Sequence, residues 1–354
     1  MTDRDGWKLR GPVRSCRLQR TWYARRCGAD ACESDERNDV TNLEFRADGS
    51  LDRRSHHNPD GSEWTAIHEY DATSRLVWTR TEATTGPIEV KHYEYDAAGR
   101  LSRVLIGESG RDRVSESYDY DATGRKKKTI HVDVAAQRPN TTYSWGVESS
   151  DAFYSAPGAA AVTTVYNVLD QPIELTFHDA AGQPLNRVEF VYDEAGHLVE
   201  EAQTRVADIF PPEIVTRMNP AQLATMRALV GGGSETSRIL HQYDARGRRI
   251  ETRSSMWSLG QNRKTMAYND HGDQIEEISE HDDREYNIDD EGRVSESPGN
   301  PAASRSEARF KYDYDAQGNW IEKVVEGRGG TAPEYSVSSI ERRTLTYYDD
   351  PSDL

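Results

Sequence analysis

The sequence predicts an all-β protein: a long antiparallel meander of hairpins coiled into a spiral or open-barrel-like sheet, with one short helical insert. Three observations point to it. A turn signal, Tyr-Asp-x-x-Gly, recurs along the chain. Apolar and charged residues alternate on either side of it. The 354 residues include 18 Tyr, 7 Trp and 6 Phe, yet only 35% are hydrophobic and 30% are charged. That is too aromatic for a disordered chain and thin for a large globular core, but it suits a sheet with one modestly apolar face.

The turn signal comes first. The Asp slot is filled by Asp71, Asp96, Asp121, Asn167, Asp179, Asp193, Asp244, Asn269, Asp289 and Asp315. Asp or Asn opening a type I turn accepts hydrogen bonds from backbone N–H groups two residues on. Three residues later stand Gly99, Gly124, Gly196, Gly247, Gly272, Gly292 and Gly318, where positive φ is reached without a Cβ clash. Ser74 and Asp170 occupy that slot after Asp71 and Asn167. Degenerate copies lie at FRADGSL and NPDGSEW. A type I turn followed by such a residue is a hairpin connection with a G1 bulge. Tyr closes one strand, and Leu101, Leu198, Val294 or Trp320 opens the next.

The strands come next. Val188, Phe190 and Tyr192 share one face of a strand, as do Phe310, Tyr312 and Tyr314, and Ile130, Val132 and Val134. The opposite faces carry charged and small polar residues, the pattern of an antiparallel sheet with one buried face. Asp71, Asp96 and Asp121 are 25 residues apart. One strand and one turn take about twelve residues, so each interval hides a second turn, in TEATTGPIE and GESGRD. Roughly two dozen strands result.

Residues 1–45 read as an N-terminal cap with the first strands, 46–203 and 237–354 as repeat sheet. Within the first sheet, 146–162 read as an insert loop. Residues 204–236 carry the helix: Asn219 caps it, Pro220 suits its first turn, Gln222 completes a capping box and Gly231 ends it. Leu223, Met226 and Val230 form its apolar stripe.

The net charge of −17 disfavours nucleic acid as a partner and anionic membrane surfaces. No run approaches a transmembrane helix, so no membrane insertion is expected. The first residues lack a signal-peptide core, which leaves a cytosolic chain or, if a signal was removed, an extracytoplasmic one. Cys16, Cys27 and Cys32 lie together; Cys27 and Cys32 could close a disulfide or stay free thiols.

Turn segments such as YDAAGRL (Tyr95 to Leu101), repeated about ten times from Phe45 to Asp315, resemble the RHS/YD-repeat family, as a small stand-alone member without the core box of the toxin shells. The resemblance implies a strand–turn–strand repeat building a continuous spiralling sheet. In large members, insecticidal toxin shells and teneurins, it encloses a hollow interior; such proteins encapsulate toxic cargo or act at cell surfaces, and carbohydrate binding has been proposed for some.

No catalytic constellation, cofactor motif or metal-ligand spacing appears among the residues. His56, His57 and His68 do not form a ligand pattern, and the acidic run around Asp282, Asp283, Asp289, Asp290 and Glu291 lacks the order of a calcium loop. A non-enzymatic binding or scaffold module is therefore expected, with carbohydrate or a cell-envelope protein as partner. Trp64, Trp78, Trp145, Trp257 and Trp320 are the candidates for stacking on sugar rings, against the alternative that they fill gaps. A glycan-active hydrolase with carboxylates in a groove and a relative of toxin-encapsulating shells are the competing readings. Tyr95, Tyr120, Tyr192, Tyr243 and Tyr314 are expected to form the internal stripe of the sheet.

Overall fold

A computed structural model describes residues 2–27, 32–86, 88–107, 112–132, 142–145, 154–205, 215–229, 235–256, 260–281, 285–289, 291, 293–297, 305–329 and 334–348. The strands on either side of the Tyr-Asp turns pair in sequence order. These are β1 (Val13–Cys27), β2 (Cys32–Phe45), β3 (Leu51–His57), β4 (Glu63–Tyr70), β5 (Leu76–Ala83), β6 (Glu89–Tyr95), β7 (Leu101–Gly107), β8 (Arg113–Tyr120) and β9 (Lys126–His131). A hairpin of β10 (Thr142–Trp145) and β11 (Tyr154–Pro157) interrupts. The meander resumes with β12 (Ala161–Tyr166), β13 (Pro172–His178), β14 (Pro184–Tyr192) and β15 (Leu198–Arg205). After the helical insert come β16 (Glu235–Tyr243), β17 (Arg249–Met256), β18 (Gly260–Tyr268) and β19 (Gln274–His281). A second inserted hairpin, β20 (Glu285–Ile288) with β21 (Val294–Ser297), precedes β22 (Arg305–Tyr314), β23 (Trp320–Gly329) and β24 (Ser336–Tyr347).

Twenty of these strands form one sheet, and the sheet has no edge. β9 pairs with β12, β19 with β22, and the last strand, β24, pairs antiparallel with the first, β1, from Val13↔Tyr347 to Trp22↔Ser339. The spiral or open barrel expected from the sequence is thus corrected to a closed antiparallel ring. Closure removes the unpaired N–H and C=O rows that an open end would expose.

Strand order splits the connections between two rims. Nine turns, after β2, β4, β6, β8, β12, β14, β16, β18 and β22, lie on one rim, and the β24/β1 seam completes it. The Asp179 turn sits on the far rim and the Asp289 turn at the tip of the β20/β21 hairpin, so neither belongs to the first-rim series. The region read as an insert loop, 146–162, contains β11 and the start of β12. All three inserts leave from the far rim. Their helix, α2 (Pro220–Leu229), follows a short N-terminal α1 (Asp3–Gly6). Asn219 caps α2, its Oδ1 accepting from Ala221 N at 2.8 Å, and Leu223 is buried. β9 spans Lys126–His131 and so includes Ile130 of the expected alternating set. Gly231, Gly292, Val134 and Trp257, with the side chains of Cys27, Cys32 and Trp145, lie outside the described residues.

Cross-strand partners share a face, so the pairings define two faces around the whole ring. One carries Leu43, Ala66, Val104, Val162, Leu175, Phe177, Val188 and Met266, all buried. The other carries rows of Arg–Glu pairs such as Arg80–Glu82, Arg187–Glu174 and Arg342–Glu322. Side chains converge on the concave side of a closed sheet, which makes the buried, apolar face the inner one. The total accessible surface is 21082 Å², against about 14,000 Å² for a compact chain of this mass.

Candidate functional site

The first rim is a repeated lock. The Asp or Asn side chain turns back on its own turn: Asp96 Oδ1 accepts from Ala98 N (2.9 Å) and Arg100 N (2.8 Å), and Oδ2 takes the Arg100 Nε at 2.8 Å, while Asn167 and Asn269 use their amide oxygens. Gly99 lies at φ +78 as the turn requires. Where Gly is missing, Ser74 and Asp170 take the same conformation at φ 58 and 60. The backbone and side-chain hydrogen bonds from Arg100 hold Asp96 below the ordinary carboxylate range. Asp244, bonded chiefly by the Arg248 side chain, falls to about 2.

The Tyr of the next unit then bridges back. Tyr95 donates its hydroxyl to Leu76 O (2.8 Å), Tyr120 to Leu101 O (2.9 Å), Tyr192 to Pro172 O (2.8 Å) and Tyr243 to Leu198 O (2.8 Å). Arg75 lies over Tyr95 and Arg100 over Tyr120, at 4.8 and 4.2 Å from the ring centroids. Tyr314 departs: it donates to Asp273 Oδ2 at 2.8 Å and stacks on His271. These tyrosines tie neighbouring hairpins together at the rim, a more specific role than an apolar stripe. The Arg after the glycine was visible in the sequence as Gly-Arg, but its double use, clamping one Asp and supporting the next Tyr, was missed. Asp71, Asp121, Asp193, Asn269, Gly272 and Asp315 serve the same turn geometry, as do Gly124, Gly196, Gly247 and Gly318.

The tryptophans are not gathered into one platform. Trp64 is on the inner face, where Arg54 is sandwiched between it and Trp7, at 5.0 and 5.3 Å. Trp320 is covered by Arg343 at 3.6 Å, with Tyr312 edge-on. Trp78 belongs to the charged face, opposite Glu69 and His92. The two Arg–Trp clusters meet at the N-terminal segment, where Arg343 Nη2 donates to Trp7 O. Trp64 and Trp320 therefore carry structural partners on their faces.

Two other places on the inner wall concentrate polar chemistry. At β15 and β16, Glu201 is fully buried and accepts from Tyr154 Oη and His241 Nε2, both at 2.7 Å; His241 Nδ1 lies 3.1 Å from Thr252 Oγ1. With Nε2–H donating to Glu201, Nδ1 accepts from the Thr252 hydroxyl. This network sits among Tyr154, Phe190 and Val188 and pins the β10/β11 hairpin to the wall. Burial and the Glu201 charge push the Tyr154 hydroxyl far up. It is a tether closed to substrate.

The second place is a hollow of about 450 Å³ near the far rim. The register explains it. Ser279, Ser306 and Gly329 form one cross-strand row, and Glu277, Ala308, Gly327 and Ser336 the next. Small side chains on four neighbouring strands leave a depression whose walls are hydroxyls, with Glu277 and Glu334 at its margin. Glu277 is itself held by Lys264 (3.1 Å) and Gln274 (3.0 Å). Serine hydroxyls and carboxylates at one site can exchange hydrogen bonds with a polyhydroxylated molecule. Among the described residues no group of three or more His, Cys, Asp or Glu is placed to hold a metal, and no helix is long and apolar enough to cross a membrane.

Fold and wall together define a closed antiparallel β-barrel of twenty strands with one rim of locked turns. No protein-family model matches the chain, and no curated protein matches it. Among solved structures, a porin-like protein from Bacteroides uniformis is 10% identical, with 95% of this chain and 98% of that one covered and a TM-score of 0.35. Salmonella typhi OmpF in complex with daunomycin is 10% identical, with 95% and 96% covered and a TM-score of 0.30. The TcdB2-TccC3-Cdc42 crystal structure is 13% identical over 90% of this chain but 19% of that one, with a TM-score of 0.24. Likeness at this level carries no argument about activity.

Proposed function

We propose that the chain is a non-enzymatic binding and scaffold barrel built from YD repeats, and that it recognises a carbohydrate at the serine-lined hollow of the inner wall. The observation that supports this reading is the pair of small-residue rows around Ser279, Ser306 and Ser336, with Glu277 and Glu334 beside them. Such a site matches sugar hydroxyls better than it matches an apolar or anionic ligand. The rows of ion pairs on the outer face suit water, since charges facing lipid are costly.

A broad glycan array tests it, using the full chain, a Ser279→Ala/Ser306→Ala variant and a Trp64→Ala variant. Reproducible hits weakened by the serine double substitution support the site; hits weakened only by Trp64→Ala move it to the Trp7–Arg54–Trp64 cluster. A silent array with folded protein contradicts the carbohydrate reading. Hydrolysis of any glycan bound, with Glu277 and Glu334 as the carboxylates to replace, would turn the assignment to a hydrolase.

A second reading, a relative of toxin-encapsulating shells, draws support from the closed ring of twenty strands, which surrounds an inner side. Co-purification of a polypeptide protected from protease would favour it.

A further inference from the structure

At the far-rim ends of β16 to β19, lined mainly by the charged face but also by Ser254, Asn262 and His281 of the inner one, lies a cavity of about 580 Å³, separate from the serine-lined hollow. This size falls within the range of small-molecule pockets. Two adjacent cross-strand rows make its floor. One runs Leu240, Arg253, Arg263 and Glu280; the other runs Arg238, Ser255 and Gln261. Three arginines therefore line it beside Glu280, with Arg238 paired to Glu200 at 3.6 Å and Arg263 3.7 Å from Glu280.

The arrangement has a cost. Arg253 and Arg263 stand directly opposite each other, and like charges in that position repel. Glu251, 7% exposed, relieves it from the neighbouring row: Oε1 accepts from Arg253 Nε (2.6 Å) and Oε2 from Arg263 Nε (2.8 Å). Glu251 thus spends both oxygens on positioning. Arg263 is used further, its Nη2 at 2.6 Å from Glu251 Oε2. Arg253 is held through Nε alone, and neither of its Nη atoms has a hydrogen bond among the described residues. Beside it Leu240 is a large apolar side chain 41% exposed.

We propose that this cavity binds an organic anion, with a phosphate or carboxylate head group on the Nη edge of Arg253 and an apolar portion on Leu240. A guanidinium fixed at one edge offers a preset fork to such a head group. Ser255 and Gln261 add neutral hydrogen-bonding groups. The proposal does not rest on the carbohydrate reading, which concerns the other face.

Isothermal titration of the full chain with phenyl phosphate, and in parallel with inorganic phosphate, tests it at low salt. Saturable one-to-one binding of phenyl phosphate, tighter than that of inorganic phosphate, is expected. Arg253→Gln should weaken both by about ten-fold or more, and Arg253→Lys should restore only part of the loss. Leu240→Ser should weaken phenyl phosphate and spare inorganic phosphate. Arg246→Gln, a charge removed at the other rim, should change neither. Absence of saturable binding overturns the proposal, as does equal loss in Arg246→Gln, which would mean a diffuse charge effect. Thermal melting of each variant separates lost binding from lost fold.

Discussion

The two rims of this ring are built by different rules. The first repeats one device over nine turns, in most of which an Asp or Asn side chain closes its own turn and a tyrosine reaches back to the previous hairpin. On the far rim the described turns at Asn58 and Asp179 close in the same way but follow His57 and His178 in place of a tyrosine, and this rim bears the β10/β11 hairpin, α2 and the β20/β21 hairpin. The first rim therefore depends on many equivalent small contacts. The far rim depends on a few individual ones, such as Glu201 holding Tyr154. Repetition gives regularity where the barrel must close, and its absence leaves room for the serine hollow and the arginine cavity.

The largest expected break of this contrast is acid. Folded-state carboxyls on the first rim lie below their unfolded values, as at Asp71, Asp96, Asp121, Asp193, Asp244 and Asp315. On the far side the Tyr335 hydroxyl, then the Arg305 guanidinium, hold Glu307 at about 2. A depressed pKa contributes stability above the unfolded value near ~4 that disappears as pH falls through the folded value. Melting temperature should thus be flat near neutrality and drop steeply from about pH 4 to pH 2, with Asp96→Asn/Asp121→Asn flattening part of that drop. A melting curve insensitive to pH over that window would contradict the role given to the turns.

Next in size is the far-rim tether. Glu201→Ala leaves the buried Tyr154 hydroxyl and His241 without their acceptor and should cost about 3 kcal/mol by chemical denaturation. Proteolysis should then cut selectively in the β10/β11 region. Unchanged stability would mean that the hairpin is held by Phe190 and its neighbours alone.

Single first-rim changes should be smaller. Gly99→Ala should cost about 1 kcal/mol, since the turn needs positive φ. Gly247→Ala should cost more, because its Cβ would come 2.6 Å from His197 Nε2. Ser74→Gly should stabilise by up to about 1 kcal/mol, as Ser74 now holds φ 58. Equal melting temperatures for Gly99→Ala and the wild type would contradict the turn assignment.

Much of the architecture was legible in the residues. Leu101, Leu198, Val294 and Trp320 each open a strand where the motif places them, because Asp and Gly leave the turn few alternatives. Closure was not legible. Whether β24 meets β1 depends on accumulated twist and register over the whole ring, and no short stretch encodes it. The strand within 146–162 was not legible because β11 is only four residues long, with Tyr154 and Ala156 buried, too short for alternation to register. The candidate sites were the least legible. The serine hollow joins four strands, from Glu277 to Ser338, and only the register brings them together. The tryptophans drew attention by type, whereas the structure gives Trp64 and Trp320 to arginine neighbours.

The central claim is the closed ring, and its seam is the place to test it. Ser15 and Thr346 are cross-strand partners there, with their hydroxyls 2.6 Å apart. In a Cys27→Ser/Cys32→Ser background, Ser15→Cys/Thr346→Cys should form an intramolecular disulfide under mild oxidation, visible as faster non-reducing migration. Cys16 should stay silent, as burial pushes its thiol up to about 11. Efficient crosslinking within one chain is the predicted result. A reduced pair, or crosslinks only between chains, would mean that the first and last strands do not meet and that the sheet is open.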